Sequence, residues 1–260
     1  MKGVRKMDID CYWDYARALV ESRGPAWRYD ETKPCGANFN NFFLARVYDT
    51  YHRRFRDYKR ETGQIVELLG IAPSATVIDM GCGTGAFAIH AAEHYRKVYA
   101  VDVARAMLNR ARRKARRAGL GNIEFRRGGF LTYEHPDDPV DAVVSVMALH
   151  HLPDFWKLVG LHRLASMLRP NGRLYLSDVV FSFDGARYEP CIRQFIQKMS
   201  LDMGPEGRAA SETHVREEYS TCHWIMEGIL KKAGFQIDDV NYTNEFLARS
   251  QAQGRTESEP

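Results

Sequence analysis

Val77-Ile78-Asp79-Met80-Gly81-Cys82-Gly83-Thr84-Gly85 is the stretch on which the fold turns. Its first residues are apolar and β-branched, which predicts a buried strand. Its glycines predict a sharp turn, and the apolar run at residues 86–95 predicts a helix behind it. The same rhythm continues outward. A second strand is predicted at residues 98–101, ending on Asp102, and a helix follows at 104–118 with Gly119 as its stop. Strands are predicted at 122–126 and 140–146, the latter nearly all apolar, as in a strand covered on both faces. A helix at 155–168 halts before Pro170-Asn171-Gly172, because the residue preceding a proline is pushed out of helical geometry. Residues 173–176 open a fifth strand. Repeated β-α-β units of this length predict an α/β fold with a doubly wound, parallel sheet and helices on both faces.

The flanks read differently. Residues 1–70 are mostly helical in pattern, with helices at 9–20 and 42–69, the second interrupted near Gly63, and form an expected N-terminal cap or lid. The sheet domain is expected at 71–249. Within it, 181–224 breaks the β-α rhythm and is expected as a substrate-side insertion. A helix at 222–232 is followed by two strands, 235–240 and 242–247, joined as a hairpin. Residues 250–260 (SQAQGRTESEP) are polar and expected to fray.

Composition excludes more than it identifies. The 260 residues are 45% hydrophobic and 27% charged, which rules out bulk disorder, collagen-like and coiled-coil classes. A chain of this length buries about 70–75% of its unfolded surface and needs no covalent staples. Net charge is +4, below what a dedicated nucleic-acid binder carries. Five cysteines, an odd number with no CxxC spacing, argue against a disulfide framework or a cysteine zinc site. They fit a reducing compartment, so a cytoplasmic location is expected. The first residues lack the apolar core of a signal peptide, and no apolar run reaches the length of a membrane span.

The glycine loop carries the chemistry. Glycines between strand and helix let a ligand approach the backbone at a helix N-terminus. Asp102, at the end of the next strand, is placed to accept both hydroxyls of a ribose. Two nucleotide readings compete. Gly81-x-Gly83-x-x-Ala86 satisfies a relaxed dinucleotide fingerprint. Against it, Asp79 would repel a pyrophosphate but welcome a cationic amino group, and the loop continues as GxGxG. Taken singly, the glycines are turn formers, Asp102 is a helix cap and Cys82 is a small loop filler. The joint pattern favours a ligand site.

VIDMGCGTG, VYAVDVARAML, DAVVSVMALHHLPD and LRPNGRLYLSDV, taken together and in this order, resemble the class I S-adenosylmethionine-dependent methyltransferases. The likeness is greatest to the small-molecule branch that includes ubiquinone and menaquinone biosynthesis enzymes. It implies a Rossmann-like, seven-stranded sheet of order 3-2-1-4-5-7-6 with the last strand antiparallel. It implies S-adenosylmethionine as cofactor. Asp79 and the backbone of Gly81, Cys82 and Gly83 would hold its amino-acid end, and Asp102 its ribose. Val103 and Met107 would lie near the adenine, and Met147 near the methionine portion. Tyr48, on an N-terminal helix, would fold over the cofactor. One position departs from the pattern. Where the family often has an aspartate that contacts the adenine amino group, this chain has Gly129, followed by Phe130, so the contact would come from backbone and ring.

Transfer of a methyl group needs in-line approach, a dry site and, for some acceptors, a base. His52 and His151 are the candidate catalytic histidines. His150, His214, Tyr219, His223 and Trp224 form a pool of substrate-side candidates. No metal is expected, because no carboxylate cluster stands at an obvious place in the sequence. The basic run from Arg105 to Arg117 reads as a solvated helix face. The expected partner is a small-molecule acceptor; nucleic acid is not expected, and the chain is expected as a monomer or homodimer. The alternatives are an RNA methyltransferase and a catalytically silent donor-binding scaffold.

Overall fold

The computed structural model describes residues 25–254. The chain divides into two compact units, Met1–Asp30 and Glu31–Pro260. Of the first, the described residues hold a turn in which the Arg28 N–H donates to the Pro25 carbonyl at 2.9 Å. The expected helix at 9–20 lies outside the described residues. All that follows concerns the second unit.

Two helices precede the sheet. Helix α1 (Phe42–His52) starts where Asn41 Oδ1 accepts the N–H groups of Phe43 and Leu44, at 2.8 and 3.2 Å. Helix α2 (Tyr58–Leu69) starts at Asp57, whose carboxylate caps Arg60 N–H, and ends at Gly70 in the left-handed region. The interruption therefore falls at the Asp57 cap, and Gly63 sits inside α2 with open space around it. The two helices belong to the same compact unit as the sheet. Ile65 and Leu69 of α2 are buried in one apolar cluster with Phe87 and Val77.

The sheet is built from β1 (Thr76–Met80), β2 (Lys97–Asp102), β3 (Ile123–Arg127), β4 (Val140–Val146), β5 (Leu168–Phe181), β6 (Thr221–Cys222), β7 (Gln236–Asn244) and β8 (Leu247–Gln253). Its path is β3-β2-β1-β4-β5-β8-β7, with β1 to β5 parallel and β8 antiparallel to both neighbours. The two-residue β6 pairs with the far end of β5 and is the one addition to the expected seven strands. Val77, Ile78, Val98, Val143 and Val144 are fully buried, as strands sandwiched between helix layers must be. Each such side chain contributes roughly 1.5–3 kcal/mol.

The covering helices are α3 (Ala86–Ala91), α4 (Arg105–Arg117), α5 (Asp154–Met167), α6 (Tyr188–Met203), α7 (Pro205–Glu217) and α8 (His223–Lys232). Helices α6 and α7 make up most of the 181–224 segment. Three expectations are corrected. Helix α3 is shorter than the pattern predicts. Strand β5 opens at Leu168, which pairs with Val140, before the chain bulges through Pro170-Asn171-Gly172 and pairs again from Arg173. The terminal hairpin turns at Glu245-Phe246, so residues 247–253 are strand, with Ser250 and Ala252 buried against β5 and β7. The expected loose tail therefore begins later; residues 255–260 lie outside the described residues.

Candidate active site

Strand order reverses between β1 and β4, and the C-terminal ends of β1, β2 and β4 open there into one cavity. Asp79, in the middle of the sheet, lines it. Its carboxylate accepts the Ala88 N–H at 3.1 Å, and no cation pairs with it among the described residues. Burial pushes its carboxyl up to about 8, with the nearby Asp102 adding to the rise. The chain then turns through Gly81 and Cys82, whose N–H groups both donate to the Val101 carbonyl at 2.9 Å. Gly81 has φ +78°, and a Cβ there would overlap the Ala148 methyl. Only glycine lets the two loops meet.

Asp102 ends β2. One carboxylate oxygen accepts the Gly83 N–H at 2.8 Å and the other the Ala104 N–H at 2.7 Å. It therefore caps the approach to α4 and fastens the glycine loop, while still lining the cavity. Each oxygen keeps lone-pair capacity for a ligand hydroxyl. Burial raises its pKa, against the two backbone N–H groups that lower it.

The wall opposite comes from α1 and α2. Tyr48 lines the cavity with Phe39 edge-on to it, and burial pushes its hydroxyl up to about 12. Asp49 turns away from the cavity to Lys114 Nζ at 2.7 Å and to the Thr84 hydroxyl, tying α1 to α4 and to the glycine loop. Lys114 is thus drawn inward from the basic run, while Arg105, Arg113, Arg116 and Arg117 are exposed as expected. Farther along, Arg56 and Tyr58 line the cavity. Arg56 is paired with Glu61, and the buried Tyr58 hydroxyl has no hydrogen-bond partner among the described residues.

After β3, Gly129 and Phe130 line the far end beside Val103 and Met107. A Cβ on Gly129 would collide with the carboxylate of Glu31. Glu31 lines the same end, and its oxygens accept the Leu131 N–H at 3.1 Å and the Thr132 hydroxyl at 2.6 Å. Burial raises its pKa above the usual carboxylate range.

After β4, Met147 takes a left-handed conformation (φ 56°) and leads into a 3-10 turn, Leu149–His151. Asp178 of β5 accepts the N–H groups of Leu149 and His150, and its other oxygen lies 2.5 Å from His150 Nδ1. Because a carboxylate only accepts, that nitrogen carries the proton. Glu218 stands on the other side of His150 and also contacts His214. Burial alone would lower the His150 pKa, but the two carboxylates raise it to about 9. His151 lines the cavity under Phe39, and burial together with the neighbouring His150 pushes it down to about 4.

Comparison with known proteins places this geometry. Residues 77–172 match the family model described as a methyltransferase domain. A protein described as an uncharacterized methyltransferase, from Anoxybacillus flavithermus (strain DSM 21510 / WK1), is 26% identical over 203 residues, spanning 77% of this chain and 87% of that protein. The chain carries a methyltransferase domain.

Another relative so described, from Geobacillus kaustophilus (strain HTA426), is 25% identical over 190 residues, covering 73% of this methyltransferase and 82% of its own length. Among solved structures, an S-adenosylmethionine-dependent methyltransferase from Clostridium acetobutylicum ATCC 824 superposes with TM-score 0.62 at 14% identity, covering 82% of this chain and 98% of that one. Magnesium protoporphyrin IX methyltransferase from Synechocystis PCC 6803 superposes with TM-score 0.60 at 21% identity, covering 84% and 98%. These two likenesses speak to the fold. None of these four names is that of a quinone-biosynthesis enzyme.

Of the residues singled out from the methyltransferase sequence, Tyr48, Asp79, Gly81, Cys82, Gly83 and Asp102 gather on the cavity. So do Val103, Met107, Gly129, Phe130, Met147 and His151. His52 does not. Its ring stacks on the outer side of Tyr48 at 3.9 Å and its Nδ1–H donates to the Tyr48 carbonyl, so the shared helix face serves packing. The substrate pool disperses. His150 and His214 are held in the carboxylate cluster behind the wall. Tyr219 offers backbone groups to His150 and Lys157, and its ring is exposed. His223 packs edge-on to Tyr242, and Trp224 is 66% exposed on α8. Sequence reading missed Glu31 and Asp178. Asp178 stood in the quoted LSDV block; Glu31 had no motif around it.

Proposed function

We propose that the cavity binds S-adenosylmethionine across β1, β2 and β4 and that the chain transfers its methyl group to a small-molecule acceptor. The observation that carries this reading is the pair Asp79 and Asp102. Two buried carboxylates, with no cation against either among the described residues, face one cavity beside a turn only glycine can make. Such groups are costly unless a ligand completes them. An ammonium group suits Asp79, and vicinal hydroxyls suit Asp102. Arg56 and the orphaned Tyr58 hydroxyl suit the carboxylate of the same amino-acid portion. At the other end, Glu31 supplies a carboxylate for the adenine amino group. It occupies the space that Gly129 leaves, so the missing aspartate is replaced by a glutamate from nearly 100 residues earlier in the chain.

The bound donor supplies an electrophilic methyl group on a sulfonium centre. The chain's own part is to hold and to orient. Asp102 fixes both the glycine loop and the ribose, so the loop needs no reorganisation. Tyr48 and Phe39 close the wall and keep water out. Met147 and His151 border the end where the methyl group is presented. Helices α1 and α2 act as the lid, and 181–224 as the acceptor side. A small acceptor fits the lining, in which Arg56 is the sole Lys or Arg and is already paired. The free cysteines at 35, 82, 191 and 222 fit a reducing, cytoplasmic setting. Among the described residues no helix is long and apolar enough to cross a membrane.

The test is incubation with methyl-labelled donor and a fractionated extract. Label appearing in a low-mass fraction supports the reading. Label in RNA, removed by ribonuclease, supports the RNA alternative, and no label in any fraction leaves a silent donor-binding scaffold.

A further inference from the structure

The His150 cluster goes beyond what donor binding requires. His150 Nδ1 is committed to Asp178, which leaves Nε2 pointing at Glu218. The ring of His151 lies 4.3 Å from that of His150 and faces the cavity. One ligand atom from each of His150, His151 and Glu218 can be chosen so that all three lie within 4.8 Å of one another.

Two imidazoles and one carboxylate are the protein ligands of an open, catalytic zinc site. The surroundings match as well. A metal-bound histidine donates its other N–H to a carboxylate, as His150 does to Asp178, and a metal-bound carboxylate is itself hydrogen-bonded, as Glu218 is by His214. The distance suits a shared ion as well as an ion pair. A charge-assisted N–H···O bond closes to about 2.7–2.9 Å. His150 Nε2 and Glu218 Oε2 stand 3.3 Å apart. With zinc bonds of about 2.0–2.2 Å, the edge of a tetrahedral shell is about 3.4 Å. Bringing His151 to the same edge takes roughly 1.4 Å of side-chain movement at most, alongside the rings of Phe39 and His150.

We propose that His150 Nε2, His151 and Glu218 form a site for one divalent transition ion of zinc type, set just behind the cavity wall with His151 on the cavity side. The fourth position opens toward Met147, where an acceptor enters. The acceptor class that follows is a hydroxyl or thiol compound. Its O–H or S–H proton passes to solvent as the group meets the ion. The freed lone pair then forms the bond to the methyl carbon while the methyl–sulfur bond breaks and its electron pair stays on the donor's sulfur. The products are a methyl ether or thioether, the neutral thioether of the donor, and one proton. This use of the ion rests on the donor-site reading above; the ion site itself does not.

The experiment uses the full chain, stripped with a chelator and then dialysed. Cobalt(II) is added and its visible absorption recorded, and zinc binding is measured by calorimetry. The expected result is one ion per chain with the intense bands of tetrahedral cobalt. His151→Ala and Glu218→Gln should lose those bands, and Asp178→Asn should weaken zinc binding by about 10- to 100-fold. Thermal melts of the metal-free variants check that each is folded. Absence of bands and of zinc heat in the parent chain, or equal affinity in folded His151→Ala and Glu218→Gln, overturns the proposal. Donor calorimetry on the same metal-free chain separates the two readings. Donor binding without ion binding removes the ion site alone, whereas ion binding without donor binding supports the site and removes the donor reading.

Discussion

Asp49 on the first helix and Lys114 on the fourth meet at 2.7 Å, with the Thr84 hydroxyl completing the carboxylate's partners. The pair is nearly buried and joins the first helix to the glycine loop and to the fourth helix. Burial alone would raise the Asp49 pKa, but Lys114 and Thr84 outweigh it and the pKa falls. Lys114→Met leaves a buried carboxylate without its cation and should cost about 3 kcal/mol in denaturant unfolding. Asp49→Asn combined with Lys114→Met should recover most of that loss. Equal losses in the single and double variants would show that the helix is held by other contacts. Because the Asp49 pKa is depressed, this share of stability is present above the unfolded-state value and fades as pH falls through the folded one.

Asp79 titrates in the opposite sense. Its carboxyl is raised from 3.8 to about 8 in the donor-free chain. A raised acid gives stability at low pH that is lost as pH climbs through the folded value. Asp79→Asn mimics the neutral form and does not pay that cost. Its melting temperature should therefore rise relative to the parent from about pH 4 to about pH 8 and then level off. The same variant should bind donor more weakly. A stability difference independent of pH would mean that Asp79 is ionised and already paired.

Glu31→Gln keeps the shape and removes the charge next to Gly129. A hydrogen bond to a charged group contributes about 1.5–3 kcal/mol, so donor affinity should fall by about 10- to 100-fold. The parent should discriminate against a donor whose adenine amino group is replaced by oxygen, and Glu31→Gln should lose that preference. Unchanged discrimination would return adenine recognition to the Gly129 and Phe130 backbone.

His52→Ala should act through Tyr48. The two rings stack at 3.9 Å, and such a pair is worth about 0.5–1.5 kcal/mol. Donor affinity and turnover should fall together by roughly 2- to 12-fold. A loss of turnover with donor affinity intact would place His52 on the acceptor side after all.

The sheet and the cavity lining at the ends of β1 and β2 were legible because they are local. A β-branched strand, a glycine turn and an acidic strand end stand within one β-α-β unit, and periodicity orders them. What the sequence hid is non-local. Glu31 reaches Gly129 across about a hundred residues, and Glu218 reaches His150 across nearly seventy. No spacing rule links such partners. His52 misled for a different reason: positions four apart share a helix face, but the pattern does not say whether that face meets a ligand or a neighbouring ring. The hairpin was displaced because Ser250 and Gln251 look polar enough to be a tail, while alternate positions Ala248, Ser250 and Ala252 are buried between β5 and β7.

The central claim is that Asp102 joins the glycine loop to a bound donor. Calorimetric titration of S-adenosylmethionine into the parent chain and into Asp102→Ala tests it most directly, with circular dichroism confirming that both are folded. The account predicts one site per chain in the parent and no measurable binding in the folded variant. Equal affinity in the two would contradict it.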